Sequence, residues 1–257
     1  MIYLKTLLVV ILSYFLYLPA LAANCKATTP SDSSIVNFLQ DEYHVKFTNN
    51  NRIVVFKTGK EKFDDLFPAI RAAKESIHLE YFNFRNDSIS KELFTLLVHK
   101  AAEGVKVRAL FDGFGNSSNN RPLRRRHLDS LRARGIEIYE FDPIRFPYLN
   151  HIAHRDHRKI VVIDGQVAYT GGMNVADYYI MGKPEFGEWR DLHTRVEGDA
   201  VGELQRVFLE FWNKVTKQNI HGPQYYPGEK DARQNFGMLK QDTTPTAGTK
   251  QVGVVNR

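Results

Sequence analysis

The chain has 257 residues, 43% of them hydrophobic and 25% charged, with a net charge of +6 and a single cysteine. That composition excludes a disordered or collagen-like chain, and one cysteine excludes an internal disulfide or a cysteine-built metal site. The basic balance, with a pI near 9.2, suits an anionic partner such as a phosphodiester, an acidic membrane surface or nucleic acid, without choosing among them.

Residues 1–23 place Lys5 before an apolar run over residues 7–18, followed by Pro19 and Ala20-Leu21-Ala22. This is the layout of a secretory signal cut after Ala22; the alternative is an uncleaved membrane anchor. Either reading exports the folded part to the cell envelope, periplasmic or membrane-associated. Cys25 reads as incidental. Residues 24–50 form a polar segment with a short helix over 34–42. The folded domain is expected over residues 51–217. Its first elements are a strand over 52–57, an amphipathic helix over 61–74 with Pro68 as a candidate kink, and a strand over 76–84. A helix over 88–103 closes at Gly104, and a strand over 105–111 ends at Asp112-Gly113. This alternation predicts an α/β fold, a mixed sheet flanked by helices.

Residues 114–120 read as a polar loop, and residues 121–134 as a helix carrying Arg124, Arg125, Arg126, Arg132 and Arg134. A solvated helix face and an anion-attracting surface are both open for it. A strand over 136–141 leads into a proline-broken aromatic loop over 142–149, which either packs inward or meets lipid. The run Ile160-Val161-Val162-Ile163 is β-branched and apolar on both faces, so it predicts a fully buried strand. Gly165 turns the chain into a strand over 166–170. Asn174 is expected to cap a helix reaching Met181, with free N–H groups for an anion. A strand over 192–197 and a helix over 199–217 complete the domain. Residues 218–257 read as a linker, ending in an apolar run, 252–257, that looks like the first strand of a further half.

Around the buried strand lies HRKIVVID, in which His157 and Lys159 precede Ile160 and Asp164 follows Ile163. Side chains two apart on a strand share a face about 7 Å apart. An imidazole and an ammonium so placed can hold one anionic group. His151, His154 and His157, spaced by three, leave a metal site or a polar loop open.

His157, Lys159, Asp164, Gly171, Gly172 and Asn174 together resemble the signature of the phospholipase D superfamily. The wider stretches IHLEYFNFRND, GVKVRALFDGFG, FDPIRFPYLNHIAHRDHRKIVVIDG, GGMNVADYY and EWRDLHTRVEG are similar to the N-terminal catalytic half of bacterial cardiolipin synthases. The resemblance covers roughly residues 50–217 and implies a phospholipase D-like α-β-α sandwich, one catalytic half of a pair. It also implies phosphodiester chemistry through a phosphohistidine, with no cofactor and no metal. His157 would then be the nucleophile, or the acid serving the other half-site. Lys159 and Asn174 would hold the non-bridging oxygens. Asp164 would be mainly structural, and Gly171 and Gly172 would let the backbone approach the phosphate. Asp191, with Glu188 as the fallback, would fix the tautomer of the histidine.

The full pattern H-x-K-x4-D occurs once in the 257 residues, whereas enzymes of this branch carry it twice. The chain is therefore expected to work as a half-enzyme beside a second catalytic half, or as a homodimer. The leading expectation is a phosphatidyltransferase acting on a phospholipid such as phosphatidylglycerol at a membrane surface. The alternatives are a secreted homodimeric phosphodiesterase or endonuclease acting on nucleic acid, and a non-catalytic remnant that binds acidic lipid.

Overall fold

The computed structural model describes residues 32–143, 154–185, 187–227 and 250–255. The chain divides into two units, Met1–Val45 and Lys46–Arg257. In the first unit the described element is helix α1 (Asp32–Tyr43), which matches the short helix expected there. The leader and Cys25 lie outside the described residues. Among the described residues no helix is long and apolar enough to cross a membrane.

The second unit is built on an eight-stranded mixed sheet. Its strands are β1 (Phe47–Phe56), β2 (Ser76–Tyr81), β3 (Lys106–Asp112), β4 (Glu137–Phe141), β5 (Ile160–Ile163), β6 (Val167–Gly171), β7 (His193–Gly198) and β8 (Lys250–Gly253). They lie in the order β4-β3-β2-β5-β6-β7-β1-β8. The β2-β3 and β3-β4 pairs are parallel; all others are antiparallel. Helices α2 (Gly59–Ala72) and α3 (Ser88–Ala102) carry apolar stripes into one core, with Phe63, Leu66, Ile70, Leu93 and Leu97 against Leu79, Val161 and Tyr169. On the other face α7 (Ala200–Thr216) packs Val201, Leu204 and Val207 against Ile160, Val162 and Val196. Each large apolar side chain so buried contributes about 1.5–3 kcal/mol. β5 is covered on both faces, and all four of its residues are buried.

Several boundaries depart from the sequence reading for local reasons. β1 starts at Phe47 because Asn51 is enclosed by its own neighbours: its Nδ2 donates to the Thr48 carbonyl (2.9 Å) and its Oδ1 accepts from Ala200 N, at the start of α7 (2.8 Å). α2 continues through Pro68, which lies on its exposed side. The expected polar loop begins with a short helix, α4 (Gly113–Ser117), because Asp112 accepts from Gly115 N at 2.9 Å and so caps a turn. The basic helix shrinks to α5 (Arg125–Arg132). Pro122 disfavours helix at the residue before it, and Asn116 instead exchanges two hydrogen bonds with the Leu123 backbone. Arg124, Arg125 and Arg126 are exposed. β8 pairs antiparallel with β1 as the edge of this same sheet. The aromatic loop over 144–149 and His151 lie outside the described residues.

Candidate active site

Because β5 and β6 form an antiparallel hairpin, the residues before Ile160 and after Thr170 meet at one end of the sheet. The carboxyl ends of β2 and β3 lie there too, the customary place for ligands in open α/β sheets. His157 and Lys159 project from this end. Lys159 Nζ lies 3.0 Å from His157 Nδ1 and donates to the His157 carbonyl at 2.6 Å. The imidazole also packs on Phe82, with ring centroids 4.7 Å apart, and Lys159 Nζ sits 5.5 Å above the same ring. The approach to His157 is held by Asp112, at the end of β3. Its carboxylate accepts from Asp156 N (2.8 Å) and from Arg155 Nη1 (3.1 Å).

Arg158 points to the opposite face, where its guanidinium reaches Glu80 (2.5 Å) and Asp156 (3.2 Å). Glu80 and Asp156 are both buried and face each other, and burial pushes both carboxyls upward. Each is thereby biased toward its protonated form.

Asn174 is buried and arrives by a different route from the expected one. It does not cap a helix: α6 (Tyr178–Met181) begins four residues later, after Asp177. Asp177 instead bonds the first turn of α3, accepting from Ser88 N and Ile89 N, while Asp177 N donates to Asp87. That exchange pins the loop. Asn174 Oδ1 accepts from Asn83 N at 3.3 Å, next to Phe82, and its Nδ2 donates to Tyr179 Oη at 3.4 Å. Lys62, on α2, donates to the carbonyls of Met173 (3.0 Å) and Asn174 (3.3 Å). Gly59 lets α2 start against Tyr179, where a Cβ would lie 2.6 Å from its backbone oxygen.

The space above the glycine pair is filled by β7 and the residues before it. A Cβ on Gly172 would fall 2.0 Å from Asp191 Oδ1, and one on Gly171 would fall 2.8 Å from His193 Nδ1. Asp191 thus lies over the loop and accepts from Leu192 N at 2.7 Å; among the described residues it makes no hydrogen bond to His157. Its charge nevertheless acts on both His157 and Lys159, favouring their protonated forms. Glu188 is exposed and takes a bond from Arg190.

Asp164 is at the far end of β5. It adopts φ +53° ahead of Gly165 at φ +62°, and its carboxylate accepts from the backbone N–H groups of Lys74, Glu75 and Ser76 at 2.8–2.9 Å. These bonds tie the turn after β5 to the segment before β2. A second H-x-K, His44-Val45-Lys46, continues to Asn51 rather than to an aspartate.

Electrostatics follow from burial at a positive site. Desolvation, and then Lys159, lower the His157 pKa below 6.5. Desolvation brings Lys159 down to about 8, against the opposing pull of Asp156 and Asp191. Lys62 and His193 are fully buried, and both are held well below their ordinary values by desolvation first. Neither was singled out from the sequence. The signal for Lys62 was its place on the apolar stripe of α2, one turn before Leu66; His193 carried none beyond its strand.

The family model described as "Cardiolipin synthase, PLD-like domain" matches residues 66–212. The chain is 41% identical over 182 residues to a cardiolipin synthase of Halalkalibacterium halodurans, covering 70% of this chain and 35% of that protein. It is 35% identical over 236 residues to the major cardiolipin synthase of Bacillus subtilis, covering 89% of this chain and 47% of that one. The chain thus spans less than half the length of these relatives. In fold it is similar to the phosphatidylserine synthase of Haemophilus influenzae, with a TM-score of 0.54 at 16% identity, over 86% of this chain and 51% of that one. The family match extends over more than half of the residues and contains the His157, Lys159 and Asn174 cluster: the chain belongs to the cardiolipin synthase, phospholipase D-like domain family.

Proposed function

We propose that this chain is one catalytic half of a phosphatidyltransferase, acting on the phosphodiester of a phospholipid such as phosphatidylglycerol. The observation that carries the reading is the pairing of His157 with Lys159 at one sheet end, with Asn174 fixed beside Phe82-Asn83. His157 Nε2 attacks phosphorus, and the leaving alkoxide takes a proton from an acid on the second half. A second alcohol then gives its proton to that same group, now acting as the base, and its oxygen displaces the phosphatidyl group from the imidazole. Lys159 and Asn174 stabilise the non-bridging oxygens, while Gly171 and Gly172 leave room for His193 and Asp191.

Lys159 Nζ lies 3.0 Å from Nδ1; as an ammonium it can only donate, which puts the proton of the neutral ring on Nε2. Attack needs the other tautomer. An incoming phosphate draws Lys159 off Nδ1; the ring then loses its Nε2 proton to solvent and gains one on Nδ1, where the ionised Asp191 carboxylate accepts the Nδ1–H as a hydrogen bond and stays unprotonated. A groove of about 390 Å³, walled by Ile160, Leu192, Val196, Leu204 and Val252, also includes Lys159 and Gly171. Its apolar lining favours a lipid over a nucleic acid. The single H-x-K-x4-D motif supports a partner half or a second copy, and the residue 1–23 leader supports export to the cell envelope.

The test supplies phosphatidylglycerol vesicles to the purified chain, alone and mixed with a separately expressed C-terminal half of a cardiolipin synthase. Cardiolipin is expected from the mixture, and none after His157→Ala. DNA cleavage without lipid turnover, in either preparation, overturns the reading.

A further inference from the structure

Lys62 is fully buried, yet its ammonium bonds only two backbone carbonyls, those of Met173 and Asn174. The remaining neighbours are the faces of Phe63 and Tyr81, whose ring centroids lie 4.7 and 4.9 Å from Nζ. Among the described residues no carboxylate forms an ion pair with it. Burial without a counterion holds the Lys62 pKa well below its ordinary value, and an anion entering the site favours the ammonium form again. His193 sits in the same pocket of charge. It is fully buried behind Gly171, and neither ring nitrogen has a hydrogen-bond partner among the described residues. Lys62 and Lys159 both act on it, and Lys62 in turn feels Lys159 and Asp191.

Lys62 thus holds the Gly171–Asn174 loop by its carbonyls, with Lys159 within its electrostatic reach. The acidic groups that reach them are few: Asp191 acts on both, while Asp156, which also acts on Lys159, is shared with Arg158 and Glu80. Asp65, nearby on α2, is taken by Tyr169 (2.7 Å) and Arg195 (3.2 Å). Among the described residues neither Lys62 nor Lys159 forms an ion pair with a carboxylate. An excess of fixed charge in a water-poor setting is what a site for a developing anion requires.

We propose that Lys62 is a second cation of the phosphate site, fixing the Met173 and Asn174 carbonyls and lending positive charge from behind the loop to the phosphoryl group held by Lys159 and Asn174. The inference rests on the anion-holding role proposed above for His157 and Lys159. Lys62 is a positioning residue in this scheme, because it acts through the loop and through space rather than by touching the phosphoryl oxygens. Its charge matters most in the pentacovalent transition state, where the phosphoryl oxygens carry one more negative charge than in the diester. The carbonyl clamp and the charge are separable. Glutamine keeps an N–H donor for a carbonyl without the charge, and methionine keeps the apolar length without either.

The experiment titrates the full chain with tungstate, a phosphate analogue, by calorimetry and by thermal shift. Wild type, Lys62→Gln, Lys62→Met and the exposed control Lys60→Gln are compared. Wild type and the control are expected to bind within twofold of each other. Both Lys62 variants are expected to bind at least tenfold more weakly, while melting unliganded at or above the wild-type temperature. Tungstate affinity of Lys62→Gln within twofold of wild type overturns the proposal. So does failure of both Lys62 variants to fold, which assigns the residue to stability alone. No binding by wild type overturns the anion site itself, and the proposal with it, which keeps the two failures apart.

Discussion

The Nζ of Lys159 lies 3.0 Å from Nδ1 of His157, the ring nitrogen that does not attack. One residue therefore reports on the occupancy of the other's ring nitrogen. Nitrogen chemical shifts of His157 should place the proton on Nε2 in the free chain and move it toward Nδ1 when tungstate is added. Lys159→Met should abolish that change, and a ring already protonated on Nδ1 in the free chain contradicts the arrangement.

The pH range follows from the same pair. Lys159 is charged below about 8 and loses its proton above it, so tungstate affinity should fall as pH rises through 8. A bound anion favours the ammonium and moves the midpoint of the complex upward. His157 titrates below its ordinary 6.5, so its neutral, nucleophilic form persists into mild acid. In the competent assembly kcat/KM should form a plateau between an acid limb under 6.5 and an alkaline limb near 8. A midpoint above 10 for the alkaline limb of tungstate binding contradicts the role given to burial.

Gly172 and Asp191 should behave as one unit, since a Cβ on the glycine would lie 2.0 Å from the carboxylate oxygen. Gly172→Ala displaces Asp191 and should lower the rate by roughly 10–100-fold, the scale of lost outer-shell support. Asp191→Asn should cost at least as much through loss of the tautomer that attacks. The double variant should be no worse than Asp191→Asn alone. Fully additive losses, measured as a double-mutant cycle on kcat, would separate the two residues.

Asp164 should contribute to stability rather than to anion binding. Asp164→Ala leaves the N–H groups of Lys74, Glu75 and Ser76 without their acceptor, a loss of roughly 2–4 kcal/mol in chemical denaturation. Tungstate affinity of the folded fraction should stay within twofold of wild type. A tenfold loss of affinity without a loss of stability would return Asp164 to the active site.

Glu80 ties stability to pH. Burial, and next to it Asp156, hold its carboxyl well above 4.5, so the folded chain retains a proton that the unfolded chain releases. Its contribution is fully present below 4.5 and is lost as pH rises toward the folded value. Glu80→Gln should flatten the decline of melting temperature with pH over that window. An unchanged slope would mean that Arg158 neutralises an ionised Glu80.

The expected elements that survived intact are those whose signal is local. The Ile160–Ile163 run is buried on both faces as its β-branched composition required, and the α7 stripe of Val201, Leu204, Phe208 and Trp212 packs as its spacing required. The misreadings occurred where a distant partner intervened. Asn174 is drawn from a helix cap to Asn83 and Tyr179 by an α2 lysine 112 positions earlier. The polar loop after Asp112 becomes a helical turn because that carboxylate is already committed to the turn and to the segment before His157.

By itself the sequence determined the α/β alternation, the buried strand and the ordered set of His157, Lys159, Asp164, Gly171, Gly172 and Asn174, because periodicity and motif spacing are properties of short segments. It could not determine which face each polar side chain would share with another element, nor that Lys62 and His193 would be buried together behind the loop. Those outcomes depend on the antiparallel β5-β6 hairpin, the docking of α2 on the sheet and the register of Gly171 with His193. Burial, which sets the cost of every charge at the site, exists only once those contacts have formed.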